Sequence, residues 1–168
     1  IARMPSPRPV PGPAGFTLLE LLAVLAVIAI LALMTLPSML DALVRNQIIE
    51  ALPLADVAKK PIAAAWSAAQ TLPPDNEAAA LPAPDRVVSN LVAALAIENG
   101  AIQLTFGNRA HAELRGKVLT LRPAVVTDAP VVPVAWVCGF AAAPVNMTLH
   151  GENRTNVPAR YLPARCRA

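Results

Sequence analysis

From Leu21 to Leu36 the chain runs LLAVLAVIAILALMTL, without one charged residue. No other feature limits the fold as much. A helix that crosses a bilayer needs about 20 largely apolar residues. Residues 16–36 supply such a stretch, interrupted near its start by Thr17 and Glu20. Leu and Ala favour helix intrinsically, and neither Gly nor Pro occurs between Gly15 and Pro37. A membrane-spanning helix over 16–36 is the expectation.

Two simpler kinds of apolar segment fit less well. A secretory signal has a basic start, a shorter apolar region and a small-residue cleavage site behind it. Arg3 and Arg8 supply the basic start, but the run is long and ends in Met34-Thr35-Leu36-Pro37. A plain uncleaved anchor would account for the length. Neither explains Glu20, because a comparable charge at mid-bilayer costs roughly 3 kcal/mol on insertion scales. Glu20 lies one turn into the run, where it can snorkel toward the headgroups or await a partner charge created by processing.

The hexapeptide Gly15-Phe16-Thr17-Leu18-Leu19-Glu20, followed by the long apolar run, resembles the prepilin cleavage motif of type IV pilins and pseudopilins. The resemblance implies cutting between Gly15 and Phe16 by a prepilin peptidase on the cytoplasmic side, and methylation of the new Phe16 amine. It implies an inner-membrane precursor that becomes a bacterial, extracellular helical homopolymer with the help of assembly machinery and minor pilins. An α-amino group with a reference pKa near 8 is largely cationic at neutral pH. Glu20 can neutralise that amine on a neighbouring copy and fix the stagger of an otherwise featureless apolar bundle. Pro5, Pro7, Pro9, Pro11 and Pro13 make the 1–15 leader extended.

Beyond Pro37 the pattern is that of an amphipathic helix over 37–70. Leu40, Leu43, Val44, Ile48, Ala51, Ala55, Ala58, Ile62, Ala65 and Ala69 fall on one stripe. Pro37, Pro53 and Pro61 are expected to bend or locally melt it. A continuous helix from Phe16 to Gln70 would measure about 80 Å, so its apolar half is expected to protrude from any compact domain. Residues 71–85, opened by Leu72-Pro73-Pro74-Asp75-Asn76 and closed by Pro82-Ala83-Pro84, read as a linker.

From Arg86 the period changes to two. Leu91, Ala93, Leu95 and Ile97 alternate, Asn99-Gly100 signals a hairpin, and Ile102, Leu104 and Phe106 follow. Arg115-Gly116-Lys117 marks another turn before Leu119 and Leu121, and Val132, Val134 and Trp136 lead a fourth strand into Cys138. The fold class is therefore α+β, with four antiparallel strands over 86–138 laid on an amphipathic helix. Asn99-Gly100-Ala101-Ile102, Trp136-Val137-Cys138-Gly139 and the ending Tyr161-Leu162-Pro163-Ala164-Arg165-Cys166-Arg167 resemble major pilins of the type IVa class. That resemblance implies a disulfide between Cys138 and Cys166 closing a C-terminal loop over 138–166. Residues Ala142 to Tyr161 offer little apolar material to hold such a loop down. Free thiols are the alternative for a chain that is not exported.

Arg3 and Arg8 account for two of the net +3 charges, so the rest of the chain carries no strong basic field of the kind that nucleic-acid-binding domains show. Arg154, Arg160, Arg165 and Arg167 make the C-terminal loop locally basic. Repeated along a filament, they would form a weak stripe for DNA or surfaces, although ordinary solubilising charge is the commoner role. His111 and His150 lack partners at metal-ligand spacing and read as solvated. Asn146-Met147-Thr148 and Asn153-Arg154-Thr155 match the glycosylation sequon, a pattern common by chance. No catalytic set, metal cluster or cofactor loop stands out, so an enzyme is the least favoured class. A minor pilin, a type II secretion pseudopilin and a membrane-anchored periplasmic binding module are the alternatives to a major filament subunit.

Overall fold

The computed structural model describes residues 15–168, with the side chains of 35–38 left out of the description. The expected leader, Gly15 excepted, lies outside the described residues. The chain divides into two units, the first ending at Ser38 and the second beginning at Met39.

Helix α1 spans Leu18–Ala51. Thr17 caps it: its hydroxyl accepts from the Glu20 amide at 3.2 Å, and its carbonyl accepts from Glu20 and Leu21 at 3.1 and 3.2 Å. In the first unit every large apolar side chain from Phe16 to Met34 is exposed, with Val24, at 47%, the most covered.

The second unit begins on the same helix. At Pro53 the missing N–H removes an i→i−4 bond, and the backbone tightens into a 3-10 turn over Leu52–Ala55 before α2, Asp56–Ala69. The disruption expected of Pro53 thus takes the form of a tight turn that joins two helices. Pro61 is tolerated inside α2, which ends where Gln70 turns left-handed and donates its N–H to the Trp66 carbonyl at 2.8 Å. The buried face is Val44, Ile48, Ala51, Leu52, Ala55, Ala58, Ile62 and Trp66. Leu40 and Leu43 are more than half exposed, and Ala69 is exposed with Ala65 half-buried, so the stripe is shorter than its periodicity suggested. Trp66 fills the last turn instead, because one indole covers what several alanines cannot.

The sheet has the order β1 (Val92–Glu98), β2 (Ala101–Phe106), β3 (Val118–Val125), β4 (Ala135–Cys138), all antiparallel. Asn99 and Gly100 both take positive φ, 49° and 83°, the two-residue turn that an Asn-Gly hairpin requires. One extra residue bulges β1 between Val92 and Ala94. The inward alternation consequently shifts, with Val92 fully buried and Ala93 only half-buried, contrary to the plain period-two reading.

Pro123 is accommodated in β3 because β2 stops pairing at Ile102 opposite Leu121. Its carbonyl instead accepts from the His150 amide at 3.0 Å. A short fifth strand, β5 (Thr148–Leu149), pairs with Ala124 and Val125 there, a strand the sequence did not announce. Val132 and Val134 were expected in the fourth strand. Val132 lies in a turn flanked by Pro130 and Pro133, where prolines withhold ladder donors, and Val134 is the irregular residue just ahead of β4. The core joins the helix face to Leu95, Ile97, Ile102, Leu104, Phe106, Leu119 and Leu121, all below 5% exposure.

Candidate functional site

Two regions of the sequence reading carry candidate function, and each is described within its own unit. At the head of α1, Gly15 is exposed, with nothing within 4 Å of where a Cβ would stand. Phe16, Leu18 and Leu19 are 77–79% exposed, and Glu20 is exposed as well. The helix that follows is long and apolar enough to cross a membrane, with a mean hydropathy of 2.7 over an 18-residue stretch of which none is buried. Such a surface cannot remain in water. At roughly 25 cal/mol per Å² of apolar area, a run of eleven exposed Leu, Ile and Val side chains drives itself into lipid or into other helices. Thr17, overlooked in the sequence reading, fixes the first turn so that Glu20 sits at its third helical position. The signal was present as Thr-x-x-Glu ahead of an apolar run.

The C-terminal site is a loop closed by Cys138–Cys166, whose Cα atoms lie 4.6 Å apart at a sequence separation of 28. Gly139 makes the closure sterically feasible. It has φ +58°, and a Cβ there would meet the Cys166 carbonyl oxygen at 2.6 Å. Phe140 donates its amide to that same carbonyl at 3.0 Å. The loop has more to hold it than the low apolar content of 142–161 suggested. Val157, Tyr161 and Leu162 are at most 5% exposed, the Thr155 hydroxyl accepts from the Thr120 amide at 3.0 Å, and Asn156 exchanges bonds with Val118.

Most of the loop's arginines are occupied. Arg154 pairs with Glu98 at 2.8 Å and with Glu152 at 3.4 Å. Arg160 stacks on the Tyr161 ring, donates to its hydroxyl at 2.7 Å and approaches Glu113 at 3.8 Å. Its pKa is raised chiefly by the Tyr161 hydrogen bond, with smaller support from Asp41 and Glu113. Arg167 donates to the Leu162 carbonyl at 2.8 Å, and Arg45 reaches across from α1 to the Arg160 carbonyl at 2.8 Å. Arg165 is the loop arginine with no hydrogen bond or ion pair among the described residues.

The histidines are not simply solvated. His111 is half-buried and its amide donates to Gln47 Oε1 at 2.8 Å, while the His150 ring lies 5.9 Å from that of Trp66. Among the described residues no group of His, Cys, Asp or Glu is placed to hold a metal ion. Of the two sequons, Asn153 spends its side chain on the Gly139 carbonyl and the Thr155 amide, and Asn146 is exposed in a turn.

A long, exposed apolar helix at the N-terminus, a helix-backed antiparallel sheet and a disulfide-closed C-terminal loop are the features of a membrane-anchored α+β subunit. The profile of the pilin family, described as a bacterial filament, matches residues 44–167, and that of the prokaryotic N-terminal methylation motif matches residues 12–36. The chain is 30% identical over 159 residues to the type IV major pilin protein PilE1 of Neisseria gonorrhoeae, covering 91% of this chain and 86% of the relative. It is 33% identical over 156 residues to the fimbrial protein EcpC of Eikenella corrodens, covering 91% and 90%. The chain belongs to the type IV pilins and serves as a structural subunit of a pilus, passing from a membrane-anchored precursor to a filament.

Proposed function

We propose that the precursor is inserted in the bacterial inner membrane, cut between Gly15 and Phe16, methylated on the Phe16 amine and drawn into the filament as Glu20 of one copy meets that amine on another. In this reading residues 1–15 are a leader, 16–36 the membrane and filament-core helix, 37–70 the amphipathic helix, 71–85 a linker, 86–138 the sheet and 138–166 the surface loop. The observation that carries it is the Gly15–Glu20 hexapeptide at the head of a helix whose large apolar side chains as far as Met34 are all exposed. A prepilin peptidase, the assembly machinery and minor pilins are its implied partners, and the subunit performs no catalysis of its own. The filament serves motility, adhesion or DNA uptake. Imaging and phenotyping a deletion strain distinguishes these.

Mass spectrometry of sheared filaments should find N-methylated Phe16 at the N-terminus, and leader still attached in assembled filaments refutes the processing step. A bulky residue in place of Gly15 should block cutting. The pairing step is tested with Glu20→Ala and Glu20→Gln, which remove a charge from a membrane helix and so preserve insertion. The ratio of sheared filament to membrane-pool pilin should collapse in both, because an unpaired buried charge costs several kcal/mol. Normal yield from both variants would show that the carboxylate is dispensable.

A further inference from the structure

Strand β1 is seven residues long and stands at the edge of the sheet, the position from which a second chain can add a strand. Copies of a filament subunit are held close together, so an unpaired edge would meet its like at high effective concentration. Main chain closes both ends of this edge. The Val92 carbonyl accepts from the Ser89 amide at 2.9 Å, and at the other end the Asn99 and Gly100 amides donate to the Pro74 and Pro73 carbonyls at 3.0 and 2.9 Å.

In the middle, one side chain engages the edge at the Ile97 amide and the Leu95 carbonyl. Asn76, only 5% exposed, accepts from the Ile97 amide at 2.7 Å through Oδ1. Through Nδ2 it donates to the Leu95 carbonyl at 2.9 Å and to the Pro82 carbonyl at 2.9 Å. A carboxamide presents one acceptor and two donors on a planar frame, as a strand's peptide groups do. With two carbonyls on one side and an N–H on the other, only one orientation of the amide satisfies all three contacts. The opposite edge needs no such device, since β4 has four residues and is preceded by Pro130 and Pro133.

We infer that Asn76 is a side-chain lock on the β1 edge, which keeps copies of this chain from joining strand to strand and leaves the helices as the route of assembly. Its partner surface, when the lock is removed, is the β1 edge of a second copy. Ordinary structural support would predict only lower stability from its loss; a lock predicts a new mode of association.

The test uses the full chain in non-denaturing detergent, comparing wild type, Asn76→Ala and the double variant Asn76→Ala/Ala96→Lys. Asn76→Ala should speed amide exchange at Ile97 at least about tenfold, the factor that one lost buried hydrogen bond implies. Ala96 and Glu98, whose amides face β2, should change less. Sedimentation should show a dimer growing with concentration in Asn76→Ala and absent from wild type. Lys at 96, an edge charge that discourages strand pairing, should abolish that dimer. Should Asn76→Ala fail to give disulfide-closed protein, Asn76→Leu, which is close to the carboxamide in size but has neither donor nor acceptor, carries the decision by the same readouts. Unchanged exchange at Ile97 overturns the inference. So does an unassociated variant with fast exchange, or a dimer that survives the added Lys.

Discussion

Removing the bond between Cys138 and Cys166 gives the most quantitative check on how the second unit holds together. Cys138→Ala/Cys166→Ala is the suitable perturbation, because serine would place a hydroxyl where Cys166 has no exposure at all. The separation of 28 residues sets the magnitude. In the chain-entropy treatment, releasing a loop of that length returns about 3–4 kcal/mol of freedom to the unfolded chain. The folded side should change little, because Val157, Tyr161 and Leu162 stay in the core and Thr155 still accepts from Thr120. The assay is urea unfolding of the full chain in non-denaturing detergent, followed by the fluorescence of Trp66 and Trp136, both of which lie in the second unit. With an m-value near 1.5–2 kcal/mol/M, the midpoint should fall by about 2 M at unchanged native signal. Chemical reduction of the wild type should give the same shift. A shift below about 0.5 M would refute the reasoning and show that the apolar anchors alone fix the loop. Loss of exchange protection in β1 and β2 before the midpoint would refute it in the other direction, by showing that the sheet depends on the closure.

Three further outcomes follow from the packing. Ile48→Ala, at a fully buried position on the helix face, should cost about 2–5 kcal/mol in the same titration, whereas Ile49→Ala, 45% exposed, should stay within about 0.5 kcal/mol. Gly139→Ala should cost at least about 1–2 kcal/mol from its left-handed backbone, with more from the Cys166 carbonyl at 2.6 Å, and should lower the yield of disulfide-closed chain on a non-reducing gel. Tyr161→Phe removes the hydroxyl that Arg160 donates to, but the Arg160 side chain is 60% exposed and water can take up its N–H, so thermal unfolding should move by no more than a few degrees.

Elements governed by local chemistry were readable in the sequence, and those governed by competition between distant groups were not. Asn99-Gly100 named its own turn because both residues tolerate positive φ. Val44, Ile48, Ala55, Ala58 and Ile62 declared the helix face by spacing alone. The same spacing overran at Leu40, Leu43 and Ala69, because periodicity records which residues share a face and not how far the sheet reaches beneath it. The bulge at Ala93 depends on how β1 registers with β2, which no run of residues in β1 encodes. Strand β5 has two residues and exists because β2 ends early opposite Leu121, a fact of pairing rather than of propensity. At the candidate site, Gly15, Phe16 and Glu20 were picked out as a motif. Thr17 passed unnoticed although its capping spacing was in view, and Asn76 looked like one more polar residue in a Pro-rich linker.

The helix face from Val44 to Trp66 also has a mechanical meaning. Its buried side chains are spread along α1, the turn at Pro53 and α2, all against one sheet. A pull along that axis does not peel these contacts one after another. It shears them together, so each carries a fraction of the load and none yields until several do. A filament subunit is thereby secured against tension along this helix by the same alanines and isoleucines that let it fold.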